Sequence, residues 1–333
     1  MNKKIKMTLF AIFFFTAGLI AAFSSNNLVY GTIPVPDTED PQTIASFPVV
    51  HDYSLPSTLS LCGEMIPLEN PHVWEMLDRE FNITVWDRAQ VIMYLKRAGR
   101  YFPFIEKNLS EAGMPMDLKY LAVAESALLT YSQSRKGAKG MWQFMRLAAR
   151  SNGLRRDNIV DERLNFEHST KAAIKYLKYL KRKFNTWPLA LAAYNGGETR
   201  IRRAIREQKT SDYYRLNLPL ETERYIFRIA AIKLVMENPK SYGYNLYNES
   251  IYRPRKHDVM VVNIKNPVHI ADFAESLGTD FKSIKELNPQ FLKSHFPIGK
   301  YEVNIPYGLG KKTEDPIKKP EHLTPSPLDD LVD

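Results

Sequence analysis

At 333 residues the chain has room for about two domains of ~100–200 residues each, and its 44% hydrophobic and 25% charged content is that of a globular protein, not of a disordered or fibrous one. A net charge of +9 favours an anionic partner such as nucleic acid, an acidic lipid surface or a carboxylate-rich polymer. The absence of any arginine-rich tract, zinc-finger spacing or RNP-like aromatic motif sets nucleic acid aside. The single cysteine, Cys62, excludes an intramolecular disulfide, and the seven scattered histidines speak against a metal site. No motif asks for a cofactor.

In chain order, Lys3, Lys4 and Lys6 precede an uncharged apolar run at residues 7–23. It closes on Ala21-Ala22-Phe23-Ser24-Ser25, where Ala22 and Ser24 have the size of cleavage-site residues. This is an export-signal pattern over residues 1–24. A retained membrane anchor is the alternative, although 17 residues are slightly short for a span. Either way the remainder is expected outside the cytoplasm, in the periplasm or cell envelope. Residues 25–60 carry Pro34, Pro36, Pro41, Pro48 and Pro56 among many serines and threonines and read as an extended linker.

A helical domain is expected over residues 61–252, with no strand pattern between 71 and 238. One helix covers 87–99, with Val91, Tyr94, Leu95 and Ala98 on one face. A second covers 118–129, with Leu118, Leu121, Ala122, Glu125 and Leu129 in register. A third, capped by Ser169, covers 170–184, and a short one covers 188–194, with proline at its start and Gly196-Gly197 at its end. The last covers 223–236, with Tyr225, Ile229, Ile232 and Met236 on one face. The pattern then changes to strand 260–264, helices 271–277 and 281–287 split by Gly278, and strand 301–305. This predicts a small α+β module, βααβ in order, over 257–308. Residues 309–333 are polar and proline-containing and read as a disordered tail.

Glu125 is the one acid in the apolar helical stretch 118–129. A carboxyl among apolar groups holds its proton to higher pH, because burial disfavours the charged form. A glutamate tuned to ~6–7 can donate that proton to a leaving oxygen. The residues alone leave open a structural carboxylate satisfied inside the protein. Trp142 and Gln143, in Gly140-Met-Trp-Gln-Phe144, offer an apolar platform and a two-way amide, or else a core tryptophan at a helix start. Gly137 and Gly140 suit a tight turn or a close backbone approach. Tyr194 and Asn195 sit where a helix runs into glycines, which is equally a plain C-cap.

Taken together, Glu125-Ser126, then Gly140-Met-Trp-Gln-Phe144, then Ala193-Tyr-Asn-Gly-Gly197 resemble, in order and spacing, the signature motifs of the lytic murein transglycosylases of the soluble (SLT) type. Glu221-Thr-Glu-Arg-Tyr225 is similar to a fourth element. The strings LKYLAVAES, MWQFM, VDERLN, STKAA and ETERYIFRIAAIK resemble the membrane-bound transglycosylase D branch. Ser134-Arg135 stands where family members often carry Ser-Pro, and Met141-Trp142 where many carry Leu-Met.

The resemblance implies a mainly α protein with a lysozyme-like helical catalytic domain. Such a domain cleaves the β-1,4 bond between N-acetylmuramic acid and N-acetylglucosamine in peptidoglycan and leaves 1,6-anhydromuramic acid ends. It implies Glu125 as general acid and then base, with Ser126, Gln143, Tyr194, Asn195 and Tyr225 contacting substrate or orienting the acid. The C-terminal module resembles a degenerate LysM unit, in which Asn266-Pro-Val-His269 replaces the usual Gly-Asp-Thr. The expected partners are peptidoglycan glycan strands, with other cell-wall enzymes as candidates and membrane association through the N-terminal segment. A hydrolytic muramidase and a catalytically silent wall-binding protein stand as the alternatives.

Overall fold

The computed structural model describes residues 52–310. The expected export signal, residues 25–51 of the linker and residues 311–333 of the tail lie outside them. Two short antiparallel strands, β1 (Ser60–Leu61) and β2 (Glu64–Met65), open the fold. Helix α1 (Pro71–Trp86) starts on Asn70, whose side chain accepts from His72 N. Its buried face, Val73, Leu77, Phe81 and Val85, repeats every four residues and was not predicted. Asp87 ends α1 and starts α2 (Arg88–Glu111) by accepting from Gln90 N.

Helix α2 runs twelve residues past the predicted stop at Gly99. Gly99 is a packing glycine, not a breaker: a Cβ there would lie 2.2 Å from Ile251 Cγ2. Helix α3 (Lys119–Ser126) is shorter than expected. Ala127 (φ 55°) and Leu128 (φ 61°) are left-handed, so Leu129 has left the helix and does not share the face of Glu125.

Helix α4 (Arg146–Ser151) is a short addition. Helix α5 (Phe166–Phe184) is capped by Asn165, which accepts from His168 N; Ser169 is buried inside the first turn and does not cap it. Helix α6 (Trp187–Gly196) is apolar on every side and is the central rod of the core, flanked by α5, α7 (Glu198–Gln208) and α8 (Leu220–Glu237). Helix α7 is mostly polar and buries only Ile201 and Ala204, with Ile205 partly buried beside them, too narrow a stripe to have been read. Helices α1 and α3 pack on α8.

Strand-like pairing does interrupt the helical domain. Bridges Gln133↔Lys139 and Lys139↔Phe144 fold residues 132–144 into a compact loop.

The C-terminal part is mixed α+β, as predicted. Strand β3 (His257–Ile264) pairs antiparallel with β6 (Gly299–Pro306), from His257↔Pro306 to Ile264↔Gly299. Between them lie β4 (Val268–His269), α9 (Ile270–Ser276), α10 (Phe281–Leu287) and β5 (His295–Phe296), with β4 paired to β5. Ile264, Ile270, Phe273, Ile284, Phe296 and Val303 form its core. One member of that core, Val160, comes from the helical domain. Among the described residues no helix is long and apolar enough to cross a membrane.

Candidate active site

Glu125 occupies the last turn of α3, directly before the left-handed pair at 127 and 128. Arg97 of α2 holds that kink by donating from Nη1 to Ala127 O at 3.0 Å. The left-handed pair ends α3, so no further helical turn follows Glu125, which is half-buried.

The Tyr225 hydroxyl on α8 donates to Glu125 Oε1. Burial pushes the Glu125 carboxyl up to about 7 from 4.5. The Tyr225 bond and the charge of Arg228 pull the other way, and Glu221 adds to the rise. Burial and the neighbouring Glu125 charge also push the Tyr194 and Tyr225 phenols well above their usual range. Both are therefore neutral hydroxyls at any physiological pH. Glu221 itself is exposed and lies 3.7 Å from Lys136 Nζ.

The remaining predicted residues join the same network. Ser126 is buried; its Oγ lies 2.8 Å from Met141 O and accepts from Leu129 N at 3.2 Å. It thus links the end of α3 to the 132–144 loop. Gln143 is held at φ 46°, and its Nε2 donates to Gly140 O at 2.8 Å and Ser132 O at 3.3 Å. Trp142 is core, with Nε1 donating to Thr170 Oγ1 at 3.0 Å. Tyr194, in the last turn of α6, donates to Trp142 O at 2.7 Å. Asn195 Oδ1 accepts from Thr222 Oγ1 of α8 at 2.9 Å. Gly196 is seated against the same threonine, since a Cβ there would meet Thr222 Oγ1 at 2.9 Å. All six predicted residues thus belong to one assembly of α3, α6, α8 and the loop. Glu125 meets its phenol directly, whereas Ser126, Tyr194 and Asn195 are bonded to the frame that holds it.

Two groups that the sequence reading passed over shape this site. Arg163 is buried at 1% exposure. Its Nε and Nη2 bond the two Asp161 oxygens at 2.8 and 2.7 Å, and its Nη1 donates to Gly137 O and Phe144 O, each at 3.0 Å. It therefore clamps both ends of the segment carrying Gln143. Gly140 is obligatory there, because a Cβ would fall 1.7 Å from Arg163 O and φ is +80°. Both Asp161 and Arg163 lie in VDERLN, but nothing in the local pattern says which loop they reach.

The second group is Glu80 on α1, buried at 2%. It accepts from Arg79 Nη1 (2.6 Å), Arg224 Nε (2.6 Å) and Arg228 Nε (3.4 Å). Arg224 and Arg228 are one turn apart on α8 on either side of Tyr225, so Glu80 fixes the helix that delivers the phenol. The signal for it was an acid on the apolar stripe of α1, a helix that had not been predicted. Among the described residues no three His, Cys, Asp or Glu side chains stand together as a metal site.

Comparison with known proteins adds the following. The family described as "Transglycosylase SLT domain" matches residues 102–217. The chain is 32% identical over 197 residues to membrane-bound lytic murein transglycosylase D of Escherichia coli K12, a match covering 58% of this chain and 43% of that protein. It is 38% identical over 104 residues to the peptidoglycan transglycosylase gp16 of Escherichia phage T7, covering 30% of this chain and 8% of that one. Among solved structures, the 70 kDa soluble lytic transglycosylase of Escherichia coli aligns at 22% identity and a TM-score of 0.36, over 42% of this chain and 24% of that one. The chain thus spans less than half the length of the transglycosylase D that it matches. The matched stretch contains Glu125, Ser126, Gln143, Tyr194, Asn195 and the Asp161–Arg163 pair, while Tyr225 and Glu80 lie outside it. What the comparisons give is thus a likeness: residues 102–217 are similar to a transglycosylase SLT domain.

Proposed function

We propose that this chain is a peptidoglycan lytic transglycosylase that cleaves the β-1,4 bond between N-acetylmuramic acid and N-acetylglucosamine without water. The observation that carries the reading is Glu125, a half-buried carboxyl raised to about 7 beside a neutral phenol donor. Near neutral pH such a group is present in both protonation states, which a residue that must first give and then take a proton requires.

In the first step Glu125 protonates the glycosidic oxygen, the C1–O bond breaks, and the N-acetylglucosamine side leaves as an alcohol. Tyr225, as donor, steadies the carboxylate that results. In the second step that carboxylate takes the proton of the muramyl C6 hydroxyl. The C6 oxygen closes on C1 as a 1,6-anhydro ring, and Glu125 is again protonated. Proton and bond counts balance with one carboxylate, unlike the usual two-acid glycosidase. Glu221, exposed and facing Lys136, is not required for either step. Gln143, Tyr194 and Asn195 line or support the sugar cleft, and Ser126 positions the acid through Met141 O. The net positive charge suits a polymer whose peptide stems carry carboxylates. The site of action is the cell envelope.

Mass spectrometry of murein digested with the purified chain, run beside Glu125→Gln, tests this. Anhydromuramic acid ends that disappear in the variant are expected. Reducing ends alone would make the chain a hydrolase. Binding without release of muropeptides by either protein would end the enzyme reading.

A further inference from the structure

The helical domain sends one loop into the core of the C-terminal module. Val160, 3% exposed, packs with Phe291 and pairs with it as an isolated bridge. Main-chain bonds secure both sides: Asp161 N donates to Gln290 O at 2.8 Å, and Leu292 N donates to Ile159 O at 2.7 Å. The loop is stiff in itself, because Asp157 Oδ1 accepts from Ile159 N (2.8 Å) and Val160 N (2.7 Å). At its base the Arg155 guanidinium lies 5.6 Å from the centre of the Tyr301 ring.

The next residue along is Asp161, whose carboxylate holds Arg163 through two bonds, and Arg163 holds Gly137 O and Phe144 O. From Phe291 to Gln143 every link is a buried contact or a direct hydrogen bond. A buried guanidinium keeps its place only while its carboxylate partner keeps its geometry, since an unpaired buried charge is costly. Anything that loosens Asp161 therefore loosens the 137–144 segment.

We propose that the C-terminal module is an intramolecular brace: by gripping Val160 and Asp161 it fixes Arg163 and so sets the position of the Gln143 loop at the cleft. The partner of the face formed by Gln290, Phe291 and Leu292 is the helical domain of the same chain. The kinetic consequence rests on the function proposed above; the mechanical one does not.

The full chain carrying Phe291→Ala decides, with amide hydrogen exchange and murein cleavage both measured. The amides of Lys139, Gly140, Gln143 and Phe144, all hydrogen-bonded within the loop, are expected to exchange at least about tenfold faster while those of α1 and α6 hold their protection. The turnover number should fall roughly ten- to a hundredfold, as for a displaced positioning group, with KM much less affected. Phe291→Leu should restore both. If exchange quickens inside 257–306 but loop 139–144 keeps its protection, the brace is overturned, even where the module itself unfolds. Val160→Ala is a smaller lesion on the other side of the contact. It is read in the same way should Phe291→Ala unfold the whole chain. Faster loop exchange in a chain whose parent never cleaves murein would sink the function and leave the brace standing.

Discussion

Glu125 and Asp161 are both carboxylates set into the same helical domain, and their surroundings give them opposite character. Glu125, half-buried, meets a hydroxyl, and burial raises its pKa to about 7. Asp161 is fully buried, which also works to raise its pKa, but two bonds from Arg163 and the attraction of that guanidinium and of Lys139 hold it below the usual carboxylate range. A neutral donor leaves the proton available for chemistry, whereas a fixed cation removes it. The partner, more than the burial, separates a group that can move a proton from one that can only hold a loop.

The two sites should break differently. The largest effect expected is on turnover: Glu125→Gln should cut murein cleavage by roughly a hundred- to ten-thousandfold, the usual range for a removed general acid. Cleavage assayed by muropeptide release measures it, and a loss of less than about tenfold would mean that another group is the acid.

Arg163→Met should instead cost stability, about 3–5 kcal/mol, because Asp161 is left charged and buried without its partner. Urea denaturation reads this out. The paired change with Asp161→Leu should recover part of the loss, as expected when the damage comes from the orphaned charge.

The pH dependence of stability sharpens the contrast further. Glu125 binds its proton more tightly folded than unfolded, so its protonated form stabilises the fold below about 4.5, and that contribution is lost as pH rises toward about 7. Asp161 slopes the other way: its contribution is present above the ordinary carboxylate pKa and is lost as pH falls through its lowered folded value. Glu125→Gln should therefore gain on the parent between pH 4.5 and 7 and level off above, by at most about 3 kcal/mol before allowance for partial exposure. A difference that stays constant across pH 4–8 would remove the case for a raised pKa.

The smallest effects are shifts in the pH–rate profile, and they should have opposite signs. Tyr225→Phe removes the bond that favours the charged form of Glu125, so the alkaline limb should move to higher pH. Glu80→Gln frees Arg228 from its buried counter-charge, so the same limb should move to lower pH. Shifts of the same sign in both variants would show that α8 acts by packing alone.

Much of this was legible in the residues. The helical class and the mixed C-terminal module were expected from periodic faces, alternating strands and glycine-marked ends, whereas the six residues of the assembly were expected together only through the resemblance of their motifs to a known family. The errors lie where tertiary contacts override local patterns. The α3 helix was drawn too long because Leu129 fits the period, while Arg97, 30 residues earlier, holds the left-handed turn that ends it. Helix α2 was drawn only as far as residue 99, because the approach of Ile251, which makes Gly99 a packing site inside a longer helix, lies far along the chain. Strand-like pairing at 133–144 went unseen because isolated bridges have no periodic signature.

The sequence by itself determined the chemical parts: one acid on an apolar face, followed at fixed spacing by a glutamine, a tyrosine-asparagine pair and a further tyrosine. Only the tertiary structure decided what those parts face. Tyr225 reaches Glu125 across 100 residues, Glu80 steadies the helix that carries that tyrosine, and Val160 enters the core of a module that begins about a hundred residues later. The physical reason is that burial and the nature of a charge's neighbour, which set its protonation and its role, are properties of packed elements, and no local window of residues contains both partners.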